Sequence, residues 1–283
     1  MRVRPLFSDS LGVRSLSVMV ETDIRIVIDP SAALGPRRYG LPPAPQEWEA
    51  LARAKEEIAS VARSADVLVI SHYHYDHYDP GEDFYEGKKV FAKHPERDIN
   101  RSQRGRARPF WEKWEGRAEL VAADGEEFRI GETTLRFSEP FPHGERGTRL
   151  GYVIMTVVEH GGRKFIHASD VEGPVVEEAK EFILEERPWM VVVDGPPTYF
   201  LGYRFSADAL EASRRNLEEI AEKVEVLILD HHLLRDLSYR ERLSSVFSRG
   251  NVRTFAEELG LEPNLLEARR RELHASSLNR NPK

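Results

Sequence analysis

The segment Ala65-Asp66-Val67-Leu68-Val69-Ile70-Ser71-His72-Tyr73-His74-Tyr75-Asp76-His77-Tyr78-Asp79 joins a short apolar run to three histidines and two aspartates within eight residues. A run of four to eight apolar residues bounded by polar ones reads as a buried strand. Imidazole and carboxylate are the donors that zinc and related divalent ions take, and a strand end has no packing need for so many of them. The segment therefore predicts a strand that delivers metal ligands.

Further along the chain the same grammar recurs. His143 lies on the Pro- and Gly-flanked turn Pro140-Phe141-Pro142-His143-Gly144-Glu145, and the predicted strand Arg163 to His167 ends in Ala168-Ser169-Asp170. Two later strands, Trp189 to Val193 and Val224 to Leu229, end in Asp194-Gly195-Pro196-Pro197 and Asp230-His231-His232. Six of the ten histidines fall at these strand ends, which chance clustering explains poorly. Ahead of the motif, strands are expected over 16–22 and 24–29, the second ending in Asp29-Pro30. Asp29 has two readings of equal weight, a carboxylate that hydrogen-bonds metal ligands or a turn-starting residue. Apolar residues at Trp48, Leu51, Ala54, Ile58 and Val61 predict a helix feeding the motif strand.

Residues two apart on a strand face one side, so His72 and His74 can grip one ion, completed by His143. Asp76 and His77 then face a second ion together with His231 or His232, and Asp170 has two oxygens with which to bridge both. Such a pair of cations serves to hold a hydroxide at neutral pH and to neutralise charge on an attacked ester. Proton transfer to the leaving group would fall to Asp76 or to whichever histidine of the doublet is not a ligand. His167 reads as a hydrogen-bonded core histidine, and His94, His160 and His274 as surface residues. Tyr73, Tyr75 and Tyr78 could orient a substrate, but aromatic residues between ligands more often pack the strand end.

Composition narrows the rest. With 283 residues and no cysteine, disulfides, thiolate-bound zinc and thiol nucleophiles are excluded. No run approaches the roughly 18 apolar residues of a membrane span, and the N-terminus lacks an apolar export segment, so a cytoplasmic location and no membrane partner are expected. Many Glu, Lys and Arg with only two Gln resemble a thermophile composition. The net charge of −7 argues against a generally nucleic-acid-coating surface, yet residues 88–117 hold ten Lys or Arg against four acids, interleaved with Phe110, Trp111 and Trp114. A solvated helix explains such a run, and so would contact with a nucleic acid. One domain over 1–283 is expected, with a basic helical insertion around 93–117 and a helical C-terminal tail over 251–283 whose polar end frays. Association into a homo-oligomer is compatible with all of this.

The run His72-Tyr73-His74-Tyr75-Asp76-His77 after a strand resembles the H-x-H-x-D-H hallmark of the metallo-β-lactamase superfamily. The resemblance spans roughly residues 16–235 and is greatest to mainly archaeal metallo-β-lactamase-like hydrolases. It implies an α/β fold, a four-layered αββα sandwich with the metal site at the edge between two sheets. It also implies that His143 is the next histidine ligand, Asp170 the bridging aspartate and His231 or His232 the last ligand. Similarity to the corresponding strand end of ribonuclease Z favours His231, which leaves His232 with Asp76 for proton transfer. The ligand set implied is His72, His74, Asp76, His77, His143, Asp170 and His231, holding two divalent ions, zinc first and manganese or iron also compatible. The expected activity is a metal-dependent hydrolase acting on a small-molecule or phosphorylated, nucleic-acid-like ester. A lactone or thioester hydrolase using the same ions is the alternative, and a nucleic-acid- or protein-binding module with structural metals is the alternative of another class.

Overall fold

The computed structural model describes residues 1–279, so the last four residues of the polar end lie outside the described residues. Strands β1 (Arg2–Ser8), β2 (Leu16–Glu21), β3 (Arg25–Ile28), β4 (Val67–Ile70), β5 (Lys89–Ala92) and β6 (Glu119–Ala122) form one sheet in that order. The first three pair antiparallel and β3 to β6 run parallel. β7 (Glu127–Ile130) and β8 (Thr133–Phe137) begin the second sheet, and the two-residue strands β9 (Phe141–Pro142) and β10 (Tyr152–Val153) pair with each other. β11 (Thr156–His160), β12 (Arg163–Ala168), β13 (Met190–Asp194), β14 (Val226–Asp230) and β15 (Val252–Arg253) complete it in the order β15-β14-β13-β12-β11-β8-β7.

Alternation along the central strands divides the core into three layers. In β4, Val67 and Val69 join Val18, Val20, Ile26 and Ile28 and meet Leu135, Phe165, Val192 and Ile228 of the second sheet. Their neighbours Leu68 and Ile70 point the other way, against helices α1 (Pro45–Arg63) and α2 (Arg101–Trp114) through Ala54, Ile58, Phe110 and Trp114. On the far side, Ile166, Val191, Val193 and Leu227 pack on α3 (Glu177–Glu186) and α4 (Ala207–Lys223) through Ile183, Leu217 and Ile220. The result is the α/β, four-layered αββα sandwich. Burial on both faces is why β4 reads as Val-Leu-Val-Ile rather than as an alternating pattern.

Two elements depart from the expectations. β1 carries no strand signal, because Arg2, Arg4 and Pro5 interrupt its apolar residues. It is nonetheless the edge strand, with its register shifting between Pro5 and Phe7, which is where proline is tolerated. The C-terminal region is not continuously helical after 251. β15 comes first, then a single turn at Phe255–Glu258 capped by Thr254, and a helix only from Arg270 to Asn279. Arg270 is buried against the Glu47 carboxylate, with Nη2 to Oε1 at 2.6 Å and Nε to Oε2 at 2.8 Å, which ties this region to the start of α1.

Candidate metal centre

The carboxyl ends of β4, β12, β13 and β14, together with the turn after β9, converge at one edge between the sheets. β4 stops at Ile70, so His72 and His74 do not lie on a strand and do not owe their agreement to a two-residue period. The chain instead turns, with His77 and Tyr78 both donating to the His74 carbonyl at 3.0 and 3.2 Å. Both rings still reach Asp170, His72 through Nε2 at 3.3 Å and His74 through Nδ1 at 4.0 Å.

Asp170 is the hub. Its Oδ2 faces His72, His74 and His143, the last with Nε2 at 2.8 Å, and its Oδ1 faces Nε2 of His77 at 3.3 Å and of His231 at 3.4 Å. Asp76 closes the second group, 3.9 Å from His77 Nε2 and 3.7 Å from His231 Nε2. Two groups of donors result, His72-His74-His143-Asp170 and Asp76-His77-His231, each with ligand atoms within 4.8 Å of one another. Tetrahedral zinc with bonds of about 2.0–2.1 Å places neighbouring donors about 3.3 Å apart. The spacing fits divalent metal ions, and so does a second observation. The buried Nε2 atoms of His72 and His77 have no hydrogen-bond partner among the described residues, though both point at this spot.

A ring of carboxylates fixes which nitrogen each histidine presents. His77 Nδ1 donates to Asp29 Oδ2 at 2.9 Å, His231 Nδ1 to Asp9 Oδ2 at 2.9 Å and His232 Nδ1 to Asp194 Oδ2 at 2.8 Å. His72 Nδ1 donates to Ser71 Oγ at 2.9 Å, whose own proton goes to Asp29 at 2.6 Å. Each of these four rings thereby turns an Nε2 lone pair inward, as metal-ligating histidines require. Asp29 thus takes the first of its two readings. It also falls within 4.8 Å of His72 and His77 as a third grouping, but its oxygens already accept from Ser71 N, Ser71 Oγ and His77. Asp29, Asp170, Glu172 and His231 all have φ between 51° and 57°. Such left-handed backbone is uncommon for residues other than glycine and gathers at functional sites.

Charge balance follows from the crowding. Burial, reinforced by His77, pushes His72 down to about 4, and burial also lowers His74 and His232. For His143 burial opposes protonation, but Asp170 and then Glu172 win and hold it up at about 10. His77 is likewise raised against burial by Asp170 and Asp76. Burial disfavours ionisation of Asp76 and Asp170 too, yet His77 and the other rings hold both well below the usual carboxylate range.

Sequence reasoning did not find Asp9, Glu172 or Arg235, nor the role of Asp194. Arg235 is buried and bidentate to Asp9, with Nε to Oδ1 at 2.9 Å and Nη2 to Oδ2 at 3.3 Å, and its Nη2 is 3.8 Å from Asp76 Oδ2. Asp194 accepts from the backbone of Val171 and Glu172 at 2.8 and 3.0 Å besides orienting His232. His232 itself lies 3.9 Å from Asp170 Oδ2, lines the cleft and falls with Asp170 and His231 in a further grouping within 4.8 Å, whereas His231 also completes the second donor group with Asp76 and His77. His167 is the core histidine expected, with Nε2 donating to the Leu16 carbonyl at 2.7 Å. His94, His160 and His274 are half-buried rather than fully at the surface.

Above the donors opens a cleft of about 1010 Å³. His74 and Asp76, whose side chains are 20% and 16% exposed, reach its floor, and six arginines line it: Arg14, Arg106, Arg146, Arg149, Arg204 and Arg235. Of the basic segment only Arg106 is among them. The aromatic residues of that segment belong to the core: Phe110 and Trp114 are buried, and Trp111 donates its Nε1 proton to Tyr73 Oη at 2.7 Å. Tyr73 and Tyr78 pack as expected, while Tyr75 is exposed at the cleft wall. Among the described residues no helix is long and apolar enough to cross a membrane.

A two-sheet αββα sandwich with a His/Asp cluster at its edge defines a metallo-β-lactamase-fold protein. Residues 10–214 match the family model described as a beta-lactamase superfamily domain. The chain belongs to the UPF0282 family within that superfamily. It is 50% identical over 282 residues to the UPF0282 protein of Korarchaeum cryptofilum, covering 97% of this chain and 94% of that one. It is 49% identical to that of Methanopyrus kandleri, covering 96% and 99%. Among solved structures it is similar in fold to unliganded yeast PDE1 (TM-score 0.52, 14% identity, 89% of this chain and 96% of that one). The metallo-beta-lactamase fold protein YhfI from Bacillus subtilis is a second such neighbour (TM-score 0.50, 13% identity, 89% and 95%).

Proposed function

We propose that this protein is a metal-dependent phosphoester hydrolase. The observation that carries the reading is the division of Asp170 between two histidine groups directly beneath an arginine-lined cleft. His72, His74, His143 and Asp170 would hold one divalent ion, and Asp76, His77, His231 and Asp170 a second, zinc fitting the donors and manganese or iron being compatible. Two such ions supply an activated water at neutral pH and neutralise charge that builds on the attacked ester.

The residues of the chain do the rest. Arg235 is fixed by Asp9 beside the donors and offers its remaining N–H groups to anionic oxygens of the substrate. Arg149 and Arg204 have no carboxylate partner among the described residues and draw anions into the cleft. Arg106, whose guanidinium lies 4.6 Å over the Tyr75 ring, does the same from the wall. His232 is anchored at Nδ1 by Asp194 and presents its Nε2 lone pair to the cleft, placed to accept a proton there rather than to supply one. Asp76 is better assigned to an ion than to proton transfer, because its neighbours keep it ionised.

Lactones and thioesters could use the same ligands, but they carry no charge for the arginines to meet. Zinc-loaded protein assayed against bis(4-nitrophenyl) phosphate, a lactone and a thioester tests this. Hydrolysis of the phosphodiester is expected, with two ions per chain by elemental analysis and none retained tightly in Asp170→Asn. Turnover of the lactone or thioester alone would refute it. Absence of all turnover, with one tightly held zinc, would favour a structural metal in a binding module.

A further inference from the structure

A second chamber of about 520 Å³ opens beside the arginine-lined cleft and shares Ala33, Leu34, Pro36 and Tyr75 with it, so the two adjoin. Its character is different. Its walls are largely apolar, formed by Leu34, Pro36, Pro43, Trp48, Leu51 and Tyr75. Among the described residues that line it, the only charges, Lys55 and Asp79, neutralise each other in a 2.8 Å ion pair. Trp48 and Tyr75 are 56% and 51% exposed, two of the largest apolar side chains left open to solvent, and both face this one chamber.

We infer that the chamber is the subsite for a flat ring system attached to the phosphoryl group of the substrate. The inference rests on the phosphoester reading of the main cleft and specifies the substrate as a compact aryl or nucleoside phosphate. The arginines and metal ligands take the anionic end. Beyond Tyr75 the wall no longer carries unpaired charge, and a flat neutral ring, whose faces are apolar, is what covers the exposed faces of Trp48 and Tyr75. Tyr75 is held for this at the junction, with its ring against Arg106 on the cleft side, its centroid 5.8 Å from that of Tyr78 in a stacked arrangement, and its carbonyl receiving the Ser31 hydroxyl at 2.6 Å. The chamber volume is within the roughly 300–1,000 Å³ of small-molecule sites, which favours a compact ligand over a polymer threading the groove.

Calorimetric titration of the zinc-loaded full chain with inorganic phosphate, adenosine 5′-monophosphate, adenosine and hexyl phosphate tests this. The nucleotide is expected to bind at least about tenfold more tightly than phosphate, as a stacked ring allows, and more tightly than hexyl phosphate. Trp48→Ala and Leu51→Glu should each weaken the nucleotide about tenfold and leave phosphate unchanged. The inference is overturned if the nucleotide binds no better than phosphate, if hexyl phosphate matches it, or if both variants bind it as the natural chain does. It is overturned as well if Trp48→Ala converts a dimer to a monomer in sedimentation, since the face would then belong to a second copy. Should no phosphoester be hydrolysed while adenosine binding still depends on Trp48, the phosphoester reading fails and the ring subsite stands.

Discussion

Asp29→Asn changes one atom and separates the two donor groups. The Asp29 carboxylate is fully buried and accepts three hydrogen bonds, from Ser71 N at 2.7 Å, Ser71 Oγ at 2.6 Å and His77 Nδ1 at 2.9 Å. Asparagine keeps the shape but has one acceptor oxygen, and its NH₂ group cannot accept from a ring N–H. If the oxygen stays with Ser71, the NH₂ faces His77 Nδ1, and the ring relieves the clash by moving its proton to Nε2. That nitrogen is the one turned towards Asp76 and Asp170. A hydrogen bond to a charged group is worth roughly 1.5–3 kcal/mol, so about a 10- to 100-fold loss of metal affinity is expected, in line with what such supporting residues contribute.

The loss should be unequal. His72 feels Asp29 only through Ser71 Oγ, whereas His77 touches it directly. On the two-ion reading proposed above, the ion assigned to Asp76, His77 and His231 should therefore weaken by the full amount and the other by a few-fold. Zinc titration against a chelator of known affinity, resolving two dissociation constants, measures this. Far-ultraviolet circular dichroism of the metal-free variant checks that the fold survives. Equal weakening of both ions, or less than a twofold change in either, would refute the claim that Asp29 acts by orienting His77.

Arg235→Lys keeps a charge but loses the fork that grips Asp9 and an anionic oxygen together. The rate on a phosphodiester should fall about 10²- to 10³-fold with the metal content still at two per chain, and a parallel loss of metal would make Arg235 a support for Asp9 alone. Glu267 is buried and paired with Arg14 at 2.6 Å. Burial raises its pKa, but the Arg14 hydrogen bond outweighs this and holds it at about 2, down from 4.5. Because the folded value is the lower one, its contribution of about 3 kcal/mol is present above pH ~4.5 and fades as pH falls towards 2. Glu267→Gln should therefore lose about that much in urea unfolding of metal-free protein at pH 7 and almost nothing near pH 2, and a difference independent of pH would count against the pairing. Trp114→Ala empties a fully buried site under α2 and should cost about 3–5 kcal/mol in the same assay, whereas a side chain free to stack on a ligand would cost almost nothing.

What could be read in advance depended on whether the chemistry was concentrated in sequence. His72, His74, Asp76 and His77 were legible because no packing demand produces that density, even though the strand periodicity invoked to place them does not reach past Ile70. The layers were legible because β4 and its neighbours are apolar on both faces. Asp9 was not legible. It follows a strand whose arginines and proline hide it, and it acquires its meaning only where the chain returns 222 residues later to place His231 within 2.9 Å. Asp194 reads in sequence only as the end of a strand ahead of Gly195-Pro196-Pro197, but its carboxylate holds the backbone of Val171 and Glu172 and the ring of His232. The doublet His231-His232 could not be divided by spacing, since adjacent residues differ by direction and direction comes from the left-handed φ of 57° at His231. The basic segment misleads for the converse reason. Its composition suggests an exposed aromatic face, while the helical period turns Phe110 and Trp114 inward, five of its ten cations pair with acids such as Glu86 and Glu96, and of its arginines Arg106 lines the cleft. Four of the seven candidate ligands are thus a local property of the chain, whereas their joining to His143, Asp170 and His231 and the carboxylates that aim them are a property of the fold, which is why the supporting residues are where substitution tells most about how the centre works.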